Sequence, residues 1–231
     1  LPEYGVLIFA GAVILLIGLA IVLPLAWKGW NRWSSWLALL VGLGIYFLVP
    51  LAQPPLQDWA LGSLPQDVSF FIRTITLALI AGILQELVKF LFLGGFKLLS
   101  SSNILWIGAM LGLGFGLGEG FYILYSIRNL TYSMPSFVFF LDRAGAILLH
   151  IDLAFFLAYG FKRRLIAAAL PLVIILHSAF VYLGLLHVDK KISVAASVGI
   201  GLAASFILYL VALYYYFKDL RGPLEIKKGT V

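Results

Sequence analysis

The sequence predicts an all-α, polytopic transmembrane helical bundle of about seven spans, with the N-terminus outside and the C-terminus inside. Composition is the first ground: 63% of residues are hydrophobic, 11% are charged and the mean hydropathy is +1.07, far from an ordinary soluble domain. The second is that apolar runs long enough to cross a bilayer recur along the whole chain, bounded by proline, polar or charged residues. The third is that basic residues gather beyond alternate ends of these runs. At roughly 20 residues per span, 231 residues leave no room for a separate soluble domain, so 1–231 is expected to be one helical domain.

The spans fall at roughly 5–26, 34–53, 68–97, 104–127, 137–160, 165–186 and 192–217. The first has no basic residue ahead of it, which suits a retained helix rather than a cleaved secretory signal. After the second, the stretch from Gln53-Pro54-Pro55 to Pro65-Gln66-Asp67, with Trp59 inside it, reads as a structured or interfacial segment and not an eighth span. The third span is longer than a bilayer needs and carries Arg73 near its outer end, which tilt and snorkelling accommodate. In the fourth, Gly108, Gly112, Gly116 and Gly120 recur every four residues and form a ridge for close helix packing. The sixth follows Lys162-Arg163-Arg164, the firmest topological anchor. With the N-terminus outside, the inner side receives Lys28, Arg32, Lys97, Lys162, Arg163, Arg164, Lys218, Arg221, Lys227 and Lys228, and the outer loops only Arg128, Lys190 and Lys191.

The formal charge of +6 is therefore a matter of topology and anionic lipid, and nucleic acid is not an expected partner. Absence of cysteine excludes disulfides, thiolate metal sites and a thiol nucleophile.

Against this apolar background, Glu86, Glu119, His150 and His177 stand near the middle of four successive spans, the third to the sixth. A carboxylate at a membrane helix centre costs about 2.5–3.5 kcal/mol even on insertion scales, and such groups normally face a bundle interior or a water-filled cavity. Lys89 lies three residues after Glu86 on the same helix face, where it would neutralise the carboxylate. No basic residue lies within a helical turn of Glu119, so its partner must come from another helix, from water or from a proton. Because alternating spans bring the four residues to one depth, two chemistries are open. In one, a glutamate activates water while a second carboxyl or a histidine handles the proton and the oxyanion. In the other, His150, His177 and a glutamate, Glu119 in the favoured set, hold a divalent metal such as zinc and the remaining glutamate is the base. The cofactor is thus either none or a divalent metal, and no HExxH motif decides it. Arg143, seven residues before His150, would orient a carboxylate or the substrate backbone, and Tyr122 would donate to Glu119. Asp142 and Asp152 are expected to be solvated or paired with arginine, and His187 to be solvated.

These segments resemble the YhfC and PrsW families of intramembrane proteases, within the superfamily of CAAX-type prenyl endopeptidases and bacteriocin-processing enzymes. The likeness covers roughly residues 80–185. Glu86-Leu87-Val88-Lys89 resembles the carboxylate-x-x-basic element, Phe115-Gly116-Leu117-Gly118-Glu119 the glycine-rich segment ending in an acid, Asp142-Arg143 followed by His150 the acidic-Arg and His segment, and His177 the later histidine. The resemblance implies an intramembrane endopeptidase of a prokaryotic cell membrane, with a catalytic core at about 68–186. Glu86 and Glu119 would activate water, His150 and His177 would assist, and the substrate would be a membrane protein or peptide. Gln85 stands where relatives often carry a first glutamate, and Val181 where prenyl endopeptidases have an asparagine, which argues against prenylated substrates. The superfamily also contains noncatalytic scaffold subunits. An accessory subunit with a membrane-protein partner or a second copy of itself is therefore the alternative, and a small transporter a more distant one.

Overall fold

The computed structural model describes residues 11–22, 32–99, 104–127 and 136–220. Every regular element among them is a helix: α1 (Gly11–Val22), α2 (Trp33–Tyr46), α3 (Val49–Gly62), α4 (Phe70–Leu99), α5 (Ile104–Ile127), α6 (Ser136–Arg163), α7 (Ile166–Val188) and α8 (Val194–Leu220). Among the described residues six apolar stretches are long enough to cross a membrane, one of them Trp33–Gly62, formed by α2 and α3 together. The chain is thus an all-helical bundle of polytopic membrane type. The ends of the first expected span, and Lys28, Arg128, Arg221, Lys227 and Lys228 of the charge argument, lie outside the described residues.

The break between α2 and α3 follows from Pro50. Lacking an N–H, it cannot bond to the Tyr46 carbonyl four residues back, so α2 stops at Tyr46 and the helix restarts with Pro50 in its first turn. The segment expected to be structured or interfacial is helical as far as Gly62, through Pro54 and Pro55. It lies along α4, where the Gln57 side-chain amide donates to the Leu77 carbonyl at 3.0 Å.

Helix α5 is the axis of the bundle, with 89% of its apolar window buried against 17% for α7 and 22% for α8. Glycines make that position accessible on two faces. Gly108, Gly112 and Gly116 abut the α6 backbone around Ala154, His150 and Ile147, while Gly114 and Gly118 abut α2 around Leu39, Leu43 and Tyr46. Gly120, the last member of the expected ridge, instead faces the Ile14 side chain of α1. The contacts show α5 antiparallel to α6 and parallel to α2. Gly82 performs the same office between α4 and α7, lying against Ile174 and Ser178. Helix α8 runs parallel to α6, tied by the Ser205 hydroxyl to the Gly145 carbonyl at 3.0 Å and by the Tyr159–Tyr215 ring contact at 5.1 Å. Outward-facing residues such as Leu16, Leu51, Leu91, Ile175 and Ile207 are apolar and exposed, as a surface bathed in lipid chains requires.

A Cβ on Gly114 would overlap the Leu39 carbonyl oxygen, whereas nothing lies within 4 Å of one on Gly44. Gly114→Ala should therefore destabilise the bundle by about 1–3 kcal/mol, the usual cost of overpacking, and Gly44→Ala should be neutral or slightly stabilising. Thermal unfolding in one detergent compares them, and equal midpoints would show that α2 and α5 do not pack backbone to backbone.

Candidate active site

Each polar residue at the centre of the bundle is delivered by a close helix contact. Gly82, one turn before Glu86, lets α7 approach so that His177 reaches across; Gly112 and Gly116 let α6 approach so that His150 reaches between α4 and α5. Glu86, Glu119, His150 and His177 thus converge, although they come from four helices and are up to 91 residues apart in sequence.

They form one chain of contacts. His177 Nδ1 lies 2.6 Å from Glu86 Oε1, and the same oxygen accepts from Lys89 Nζ at 2.5 Å. Lys89 Nζ is also 3.2 Å from His150 Nδ1, and the far side of that ring, Nε2, is 3.2 Å from Glu119 Oε2. Arg143 Nη1 stands 3.6 Å from the same Glu119 oxygen, and Arg143 is clamped through Nε and Nη2 to Asp142 Oδ2 at 3.0 and 2.5 Å. An ammonium can only donate, so Nδ1 of His150 is an acceptor; the ring hydrogen then resides on Nε2 and is donated to Glu119. By the same logic His177 donates Nδ1–H to Glu86 and keeps a lone pair on Nε2. The rings of His150 and His177 stand 5.2 Å apart and nearly perpendicular. Phe115 caps the centre, 5.0 Å from the His150 ring and beneath the Lys89 ammonium at 5.0 Å.

The two glutamates differ in access. Glu86 and Lys89 are wholly buried, with Glu86 Oε2 lacking a hydrogen-bond partner. The Glu119 side chain is 18% exposed and lines a cavity of about 350 Å³ between α6, α7 and α8, together with Arg143, His150 and His177. Val181 also lines this cavity. Gln85 turns away and donates to Gln53 of α3 at 3.1 Å. Tyr122 does not join the site: its ring is exposed and packs at 6.0 Å from that of Tyr46.

Glu86, His150 and His177 each offer one ligand atom, all within 4.8 Å of one another, a buried set able to coordinate a metal ion. Its carboxylate is Glu86, where the sequence suggested Glu119. His₂Glu is a known zinc donor set, and the unpartnered Glu86 Oε2 leaves ligand capacity to spare. Lys89 Nζ, however, already contacts Glu86 and His150, so its ammonium competes for the position a divalent ion would take.

Two further expectations are corrected. Asp152 is neither solvated nor paired with arginine: it is fully buried, and neither carboxylate oxygen has a hydrogen-bond partner. His187 is half-buried, lines the cavity, and has its Nδ1 shielded. Helix α8 also contributes Ser197 and Gly201 to the cavity wall. The spacing Ser197, Gly201, Ser205, small residues every fourth position, was the available signal.

Lys89→Met removes the competing ammonium and leaves Glu86 uncompensated, at a cost of about 3–5 kcal/mol. Added Zn²⁺ should restore much of that stability while changing the wild type far less, as read by thermal unfolding and by metal content after desalting. A variant that neither binds nor is rescued by zinc would rule out the three residues as a metal site.

No protein-family model, curated protein or solved structure matches this chain, so its function is argued from the site itself.

Proposed function

We propose that this protein is an intramembrane endopeptidase that hydrolyses a membrane-embedded or membrane-adjacent peptide bond with water activated by Glu119. The observation that carries the proposal is the placing of a carboxylate, two imidazoles and a guanidinium on one cavity inside an apolar bundle. Glu119 is the base because it alone of the two glutamates lines that cavity, His150 donates to its carboxylate, and the Arg143 guanidinium stands beside it at 3.6 Å. A water beside it gives up a proton to the carboxylate as its oxygen attacks the substrate carbonyl carbon. Arg143 Nη1, which has no hydrogen-bond partner, is the donor for the resulting oxyanion, and the Asp142 clamp holds it in place. Collapse of the tetrahedral intermediate breaks the C–N bond as the proton on Glu119 passes to the leaving nitrogen.

Glu86 works at one remove, holding His177, a residue of the cavity wall, by Nδ1 and so leaving its Nε2 as an acceptor for water or substrate N–H. A divalent ion held by Glu86, His150 and His177 would supply Lewis-acid polarisation of the carbonyl. With the N-terminus outside, the cavity opens toward the outer side, since its walls come from the start of α6, the end of α7 and the start of α8.

One observation favours a second reading, a noncatalytic subunit. The Glu86–Lys89–His177 group is fully buried and largely satisfied, as in polar clusters that pin membrane helices together.

Purified protein in lipid nanodiscs, offered a mixture of single-span membrane peptides and followed by mass spectrometry, separates the two. Glu119→Gln should cut the rate at least about 100-fold, the lower range for a lost general base, with the thermal midpoint little changed. Undiminished cleavage in that variant would remove Glu119 from the chemistry, and folded wild type that cleaves nothing would leave the pinning role.

A further inference from the structure

Asp152 takes no part in the site above. It is two residues beyond His150, hence about 200° around α6, and faces away from the glutamate–histidine chain. Its neighbours there can be placed by register. The α6–α8 pairs Gly145/Ser205 and Tyr159/Tyr215 bracket Asp152 and Tyr209, which therefore lie opposite one another. The two are close enough to interact electrostatically. Tyr209 in turn donates its hydroxyl to the Ile21 carbonyl at 2.7 Å, in the last described turn of α1. Three helices thus bring a buried carboxylate into electrostatic reach of a part-buried phenol that is hydrogen-bonded to a backbone carbonyl.

The carboxylate is fully buried, neither oxygen has a hydrogen-bond partner, and among the described residues no Lys, Arg or His pairs with it. A protonated carboxyl would still need an acceptor for its hydrogen and a donor for its carbonyl oxygen. A cation makes neither demand. Hard cations take oxygen ligands at about 2.3–2.6 Å, so a carboxylate oxygen can share an ion with a neighbouring oxygen that it does not reach by a hydrogen bond, while other ligands of the same ion stay bonded to one another. The donor set is all oxygen, which suits a hard alkali ion and not a transition metal. One negative charge is neutralised by one positive charge, and a divalent ion would leave a net charge in an apolar surround.

We infer that Asp152, Tyr209 and the Ile21 carbonyl form a site for a single sodium-sized monovalent cation, which locks α1 and α8 onto α6. The Tyr209 hydrogen is committed to Ile21, so the hydroxyl oxygen keeps its lone pairs free for the ion. Binding stabilises the folded bundle and is separate from the hydrolytic cavity, whose lining includes none of Asp152, Tyr209 and Ile21 and whose α6–α8 wall, at Gly145, lies about two turns before Asp152.

The test uses the full chain in detergent, exchanged into N-methylglucamine buffer and titrated with NaCl or KCl at constant ionic strength and pH. Tryptophan fluorescence follows unfolding. Sodium should raise the midpoint by about 3–8 °C at saturation, the range for ligand-linked stabilisation of a chain this size, and potassium by clearly less. Asp152→Asn should abolish the sodium-specific rise. Tyr209→Phe, which keeps the carboxylate and the ring, should shift the half-saturating sodium concentration upward at least about threefold. Identical midpoints in all three cations, as expected if Asp152 simply holds a proton, overturn the inference. So does a full sodium response in Asp152→Asn, or, should that variant fail to fold, an unshifted response in Tyr209→Phe.

Discussion

Charges inside an apolar bundle persist only where they compensate one another, and here one contact makes that compensation continuous. Lys89 Nζ lies between Glu86 Oε1 and His150 Nδ1, so it neutralises one carboxylate and at the same time fixes the tautomer of the imidazole that addresses the other. Without it, Glu86 would be a buried anion leaning on one histidine, and His150 would have no reason to present Nε2–H to Glu119. The effective penalty for burying an unpaired ion is several kcal/mol, comparable to the net stability of many domains. The positions of α4, α5, α6 and α7 are coupled through this one ammonium.

Such short links demand helices nearer than ordinary side chains allow, and the glycines supply that. Gly112 and Gly116 seat the His150 turn of α6 on α5, Gly82 seats the His177 turn of α7 on α4, and Gly114 and Gly118 seat α2 on the remaining face of α5. In lipid, where burial of apolar side chains gains little over contact with acyl chains, backbone proximity and interhelical polar bonds carry more of the association. The glycine ridges and the charged chain are therefore one device: the ridges set the distance at which the polar groups meet, and the polar groups make that distance worth keeping.

Much of this was legible in residues alone, for identifiable reasons. Composition and run length place α4 to α8 within a few residues, since a membrane helix must be long and apolar whatever it packs against. The four polar residues stood out for the same reason. What sequence could not provide was partner choice. The i, i+3 spacing joined Lys89 to Glu86, but nothing local indicated that the ammonium also meets His150 across 61 positions. Periodicity found the ridge facing α6 and missed the ridge of Gly114 and Gly118, because a helix with six glycines has more than one small face. Asp152 was misjudged for a related reason: near a span end a carboxylate is ordinarily wet, and only the packing of α1 and α8 over α6 encloses it. Pro50 alone could have predicted the break in Trp33–Gly62, through the hydrogen bond it denies Tyr46.

The two glutamates at this centre stand in opposite surroundings, and environment alone distinguishes them. Glu86 has a lysine one turn away on its own helix, is sealed from the cavity, and shares one oxygen between an ammonium and an imidazole. Such a carboxylate is suited to hold something still. Glu119 has no charged neighbour on its own helix, draws its hydrogen-bond donor His150 and its nearby cation Arg143 from α6, and faces space that a reactant can enter. Its charge is balanced only by groups that can themselves exchange partners, since Arg143 can lengthen its 3.6 Å contact while Asp142 keeps hold of it, and His150 can return its proton. A base has to be neutralised loosely enough to accept a proton and exposed enough to find one. Of the two glutamates, Glu119 is the one whose surroundings leave both conditions open.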